Sequence, residues 1–189
     1  KLLTLWEAGM PYRLDPVTLE TLGQDFLGDT KPLAGKLAVN YMPGIPEEYQ
    51  PDMLGGKAHT AHPKMCPLTG NLIGWTWAQN PADGSMQVVF AEYCEDGFEK
   101  VAEESHILPN CALAPHDMVL TEHYIVLHFN AMNMDQVSFL SGAKGPAESL
   151  GMDARASTRA FVFPRPTLSK EEKQKYSPFV VEDIPACFS

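Results

Sequence analysis

The amino-acid sequence predicts an all-β chain, and three observations carry that prediction. Short stretches rich in β-branched and aromatic residues recur between turn signals along most of the 189 residues. Apolar residues at helical spacing are scarce. The strand clusters return about every 40 to 50 residues, the period of a propeller blade, rather than at the roughly 8 to 12 residue rhythm of a sandwich.

The elements follow in order. Residues 2–7 (LLTLWE) read as a strand, Gly9-Met10-Pro11 as a turn and residues 12–14 as the returning strand, after which Asp15-Pro16 opens another turn. Between 24 and 57 the pattern weakens, because Pro32, Pro43, Pro46 and Pro51 interrupt it; a long excursion is expected there, with one strand near 37–41. Further strands are expected at 59–62, 72–78, 86–93, 115–120, 124–129 and 159–164, short as antiparallel strands are. Residues 135–140 have room for one helical turn. Residues 169–176 (SKEEKQKY) open on a Ser N-cap, with Glu early and Lys late, the order the helix dipole favours. That helix lacks an apolar face, so it is placed on a surface loop. Lys1 stands where Met would start a chain, and Pro185 to Ser189 end it on an apolar phrase, so residues 1–189 read as part of one domain truncated at both ends.

Composition narrows the function. With 44% hydrophobic and 20% charged residues the chain can bury a core, and no apolar run nears the ~20 residues of a membrane-spanning helix. Lys and Arg total 14 against 24 Asp and Glu, a net charge of −10 without a basic block, which argues against nucleic acid as a partner. Cys66, Cys94, Cys111 and Cys187 form no Cys-x-x-Cys pair and fit neither a disulfide framework nor a zinc ribbon. Reduced thiols in an intracellular compartment, cytoplasm or plastid, are expected.

Among chemistry-bearing residues the histidines stand out, at 59, 62, 106, 116, 123 and 128. Side chains alternate faces along a strand, so His59 and His62 cannot both reach one ion, and the same parity separates His123 from His128. Pro63 disfavours the helix that would reunite the first pair. His62 and His116 each stand beside a proline at the edge of an expected strand; on spacing alone each reads first as a hydrogen-bonded core or loop histidine, with a metal site as the alternative. A Ser-His-Asp triad has little support, since no Gly-x-Ser-x-Gly elbow exists and Asp117 adjoins His116 on the opposite face. Nothing in the sequence marks Cys66 as a low-pKa nucleophile. Met10, Met118, Met132 and Met134 read as core filling first and as a channel lining second.

Four phrases together resemble the carotenoid cleavage oxygenase family, which also holds stilbene-cleaving oxygenases and the retinoid isomerohydrolase of the eye. Leu5-Trp6-Glu7-Ala8-Gly9 leading to Leu14-Asp15-Pro16-Val17-Thr18-Leu19-Glu20-Thr21-Leu22-Gly23 is similar to the family's blade hairpin and its "LDP-TLET-G" continuation. Thr60-Ala61-His62-Pro63-Lys64 with Pro67-Leu68-Thr69-Gly70 resembles "AHPK-DP-TGE", Cys66 and Asn71 standing where acidic residues are usual. His116-Asp117-Met118-Val119-Leu120-Thr121 resembles "HDF-IT", and Arg159 to Arg165 resembles the strand ending in "PR".

The resemblance implies a seven-bladed β-propeller, of which this chain would supply several blades, with Fe(II) on the axis held by four histidines. His62 and His116 would be the first two ligands, and Glu7 a carboxylate that accepts the spare ring N–H of one of them, His116 being favoured. His59, His106, His123 and His128 match no ligand position, and the third ligand's phrase would follow Ser189. The implied chemistry is dioxygen-dependent cleavage of a conjugated double bond in a carotenoid, apocarotenoid or stilbene-like molecule to two carbonyl products. An iron-dependent isomerohydrolase and a non-catalytic truncated propeller are the alternatives. Two imidazoles alone would bind iron poorly, so little or no turnover is expected of these 189 residues by themselves. Trp6, Phe90 and Phe129 are tunnel candidates by chemistry alone. Any peripheral membrane contact would rest on apolar loops, because a charge of −10 is not drawn to anionic lipid.

Overall fold

Strands laid side by side in antiparallel meanders are the main regular elements of the described residues. A computed structural model describes residues 1–7, 10–25, 27, 58–79, 85–96, 98–108, 115–153 and 157–184. The strand expected near 37–41 therefore lies outside the described residues, as do Gly9, Cys111 and Cys187.

The first sheet has the order β1 (Leu2–Thr4), β2 (Tyr12–Leu14), β3 (Thr21–Gln24). Between β2 and β3 the Asp15 carboxylate accepts the backbone N–H groups of Val17 and Thr18, both at 2.8 Å, which closes the turn its Asp-Pro pair announces. β3 was not expected. Gly23, at φ +119, reads in sequence as a breaker but here allows the register shift that joins β3 to β2.

The second sheet contains β4 (Ala58–His59), β5 (Lys64–Met65), β6 (Leu72–Gln79), β7 (Met86–Tyr93) and β8 (Lys100–Leu108). β4 and β5 both pair with β6, so together they form one inner strand with a gap in it. β7 is buried almost throughout, which fits its mostly apolar sequence. β8 is the outer strand; its alternating exposure accommodates Lys100, Glu103 and Glu104, charges that mask it as a strand in the sequence.

The third sheet runs β9 (Met118–Leu120), β10 (Tyr124–Phe129), β13 (Thr158–Pro164) and β14 (Phe179–Ile184). Between β10 and β13 the chain makes an excursion: β11 (Met132–Met134), α1 (Gln136–Leu140), α2 (Pro146–Ser149) and β12 (Leu150–Met152), with β11 and β12 paired. α3 (Lys170–Lys175) follows β13 on the surface; Ser169 and Glu172 cap it reciprocally, as the sequence SKEE predicts. This is the all-β, propeller-type architecture expected, with two antiparallel sheets, each four strands wide once β4 and β5 are taken as one, as blades.

The main core lies between the second and third sheets. Ile73, Trp75, Val88, Phe90 and Leu108 meet Met118, Ile125, Leu127, Phe161 and Phe163, and each large apolar side chain so buried contributes about 1.5 to 3 kcal/mol. Phe90, Phe129 and Met118 belong to this core, which removes them from the tunnel candidates; Trp6 is exposed. Arg165, just past β13, crosses to the second sheet and grips the fully buried Glu92 with two parallel bonds, Nε to Oε1 at 3.0 Å and Nη2 to Oε2 at 2.8 Å.

Candidate metal centre

Breaks in the inner strands deliver the site. Pro63 has no N–H to donate, so the ladder that joins β4 to β6 lapses before β5 resumes it, and His62 stands in that gap. The gap is ordered by short bonds: Thr60 N to Trp75 O at 2.9 Å, and His62 N to Thr60 Oγ1 at 3.0 Å. His116 precedes β9 in the next sheet, where Asp117 Oδ1 accepts Met118 N at 2.7 Å as the strand begins. Glu7 follows β1 in the first sheet, and the indole N–H of Trp77 in β6 holds its backbone carbonyl at 3.3 Å.

These three side chains, far apart in sequence, meet. The rings of His62 and His116 lie 4.5 Å apart between centroids, with their planes at 62°. Glu7 Oε1 is 3.7 Å from His62 Nε2 and in direct contact with His116 Nδ1. One ligand-capable atom from each residue lies within 4.8 Å of the other two. Nearby, Lys64 Nζ sits 2.8 Å from Asp117 Oδ1 and 3.1 Å from Oδ2. Burial alone would push the Asp117 carboxyl up, but the Lys64 ammonium, the Met118 N–H and the neighbouring charges outweigh it and hold the group low.

This donor set can hold a metal. A carboxylate beside Nδ1 suits the His116 tautomer protonated there, in which Nε2 carries the ring's free lone pair. Two imidazoles without a thiolate suit a divalent transition ion such as Fe(II), Co(II) or Zn(II) better than Ca²⁺, which prefers oxygen. The side chains are also reachable, with 39% of His62 and 48% of His116 exposed.

The remaining histidines are placed otherwise. His59 is buried, its Nδ1–H donating to Thr60 O at 2.9 Å; burial drives its pKa down to about 4, against the opposing pull of that hydrogen bond. His106 packs against Phe90 and Phe163, and His123 stacks on Tyr176 of the α3 end. His128 lies in β10 opposite Ala160. Sequence reasoning did not see Lys64 or Trp77 as supports of the site. Lys64 is two residues from His62 and Asp117 one from His116, but their pairing is made across sheets and leaves no periodic trace.

Cys66 packs in the apolar core, as its expected bland role has it. Burial would push its thiol up, but hydrogen bonds from Thr69, Leu68 and Arg165 bring it down to about 7, Arg165 Nη1 lying 3.3 Å from Sγ.

The profile of the retinal pigment epithelial membrane protein family matches residues 1–189. Apocarotenoid-15,15'-oxygenase of Synechocystis sp. is 26% identical over 168 residues, covering 87% of this chain and 29% of that protein. Chloroplastic carotenoid cleavage dioxygenase 7 of Oryza sativa subsp. japonica is 30% identical, covering 87% of this chain and 30% of its own length. Resveratrol cleavage oxygenase 1 of Botryotinia fuckeliana is 34% identical over 128 residues, 67% of this chain and 18% of that one. The chain thus spans less than a third of these relatives. In fold it is similar to Synechocystis apocarotenoid oxygenase, with a TM-score of 0.67 at 20% identity to one variant, covering 97% of this chain and 32% of that one. A cobalt-substituted form of the same enzyme superposes with a TM-score of 0.61 at 23% identity, covering 89% and 31%.

Proposed function

Because the chain belongs to the retinal pigment epithelial membrane protein family of carotenoid cleavage oxygenases, we propose that the protein carrying it is a non-haem iron(II) oxygenase. Its substrate is a lipophilic carotenoid, apocarotenoid or stilbene-like molecule, and dioxygen splits a conjugated double bond of it into two carbonyl products. The observation that carries this reading is the convergence of His62, His116 and Glu7 from three separate sheets.

In this reading His62 and His116 hold the ion through their ring nitrogens, and further donors come from outside the residues described. Glu7 accepts the Nδ1–H of His116, which fixes the tautomer and raises the basicity of Nε2. Trp77 keeps Glu7 in reach by gripping its carbonyl. Iron(II), when bound, supplies the electrons that triplet oxygen needs for reaction with a closed-shell alkene. The relatives named as apocarotenoid, resveratrol and carotenoid cleavage enzymes support the substrate class.

Oxygen uptake by the intact, Fe(II)-loaded protein, measured beside aldehyde formation from an apocarotenoid and from a hydroxystilbene, tests the proposal. One oxygen molecule consumed per two carbonyls formed is the expected result. Isomerised alcohol from a retinoid ester without oxygen uptake would replace it with isomerohydrolase chemistry, in which the metal serves as a Lewis acid. Failure to take up iron would leave a non-catalytic binding module.

A further inference from the structure

His62 and His116 have no common sheet. One stands in the inner-strand gap of the second sheet and the other ahead of β9 in the third, so no backbone ladder fixes their separation. A metal site needs that separation held to a fraction of an ångström. The apolar core between the sheets sets their spacing, but apolar packing is non-directional. A directional link is therefore needed beside the rings, and Lys64 with Asp117 supplies one.

Resting on the metal-centre reading above, we infer that the ion pair of Lys64 and Asp117 is a clamp that positions His62 and His116 for the metal. Lys64 is the second residue after His62 and opens β5, where its backbone is registered against Ile73. Asp117 is the residue next to His116, and its Oδ1 is tied to the first N–H of β9. The ammonium spans both carboxylate oxygens, 2.8 and 3.1 Å away, so each end of the link is anchored to a strand that carries one ligand. Glu7 touches the His116 ring and stands 3.7 Å from His62 Nε2, but it hangs from the first sheet and does not join their two strands directly. The pair is about one-third exposed at each end, so its net worth to folding is small. Its effect belongs to ligand geometry rather than to stability.

Charge gives the test a sign. An ammonium beside a dication repels it, so if Lys64 only solvated the surface, removing its charge would leave metal affinity unchanged or improve it. The clamp requires the opposite. The probe is Co(II), titrated into the metal-free intact protein and followed by its visible ligand-field bands. Lys64→Met, which keeps the stem and deletes the charge, is expected to weaken Co(II) binding about tenfold and shift the bands. The circular dichroism and unfolding midpoint of the metal-free protein stay near the parent's. Lys64→Arg retains most of the affinity. Asp117→Asn weakens it, and the double variant Lys64→Met, Asp117→Asn is no weaker than the worse single one, as a shared link demands. Parent-like or tighter binding by Lys64→Met, or losses that simply add, would overturn the clamp while leaving the metal centre standing. A parent protein that takes up no Co(II) overturns the metal centre itself and the clamp with it.

Discussion

Two junctions lie where the sheets meet, a closed ion pair that joins the second sheet to the third and an open cluster fed by all three, and they differ in what is left over. At Arg165 the guanidinium and the Glu92 carboxylate face each other as a two-pronged pair; Thr167 adds a bond to Oε1 at 2.9 Å, and the remaining Arg165 nitrogen reaches Cys66 and the carbonyl of Glu122. Both side chains are essentially closed to water, at 5% and 0% exposed. At Glu7, His62 and His116 the groups are half open, and ring lone pairs remain to be used. A buried charge must be matched within the protein, so the first junction is self-sufficient and structural. An open cluster with spare donors can exchange partners with a ligand. Both places set a base against a carboxylate, but the sealed guanidinium has no lone pair to offer, whereas the open imidazoles do.

The largest expected effect would break the closed junction. Arg165→Met leaves the Glu92 carboxylate buried without its counter-charge and is expected to cost about 3 to 5 kcal/mol in chemical denaturation. A loss below about 1 kcal/mol would mean that water reaches Glu92 and that the contrast between the junctions is overstated.

A second test separates the two neighbouring histidines. His59 titrates at about 4 in the folded chain and near 6.5 when unfolded, so the unfolded state takes up the proton first as pH falls. Stability from this residue is complete above pH 6.5 and declines between 6.5 and 4, by about 3 kcal/mol in all. His59→Gln should remove that part of the acid dependence, whereas His62→Gln should leave it in place. Denaturation curves at pH 7, 6 and 5 check both.

The smallest effect sharpens the open junction. Glu7→Gln keeps an acceptor for the His116 N–H but loses the charge, so Co(II) binding should weaken about tenfold, about 1.4 kcal/mol, with little change in the unfolding midpoint. A large loss of stability would instead make Glu7 a structural residue like Glu92.

Much of this was legible in sequence because local chemistry and tertiary placement agree. The strands at 86–93 and 124–129 appear with the expected bounds, since the residues they turn to the core are β-branched, aromatic or otherwise apolar. Ser169 caps its helix as read, and the turn expected at 135–140 forms with Asp135 as its cap, because capping depends on a few adjacent atoms. The strands at 21–24, 100–108 and 179–184 were missed for the converse reason. Gly23 resembles a breaker, and the outer strands β8 and β14 face water, which frees their composition from the alternating pattern.

The sequence by itself determined the all-β class, the proline beside each of His62 and His116, and the separation of His59 from His62. Only the tertiary structure decided which charges meet: Lys64 with Asp117, Glu7 with His116, Arg165 with Glu92 and Cys66. Strand formation is governed by neighbours along the chain and leaves a period in the sequence. Contacts between sheets depend on how the packed apolar faces align residues that are distant along the chain, and no local pattern records that.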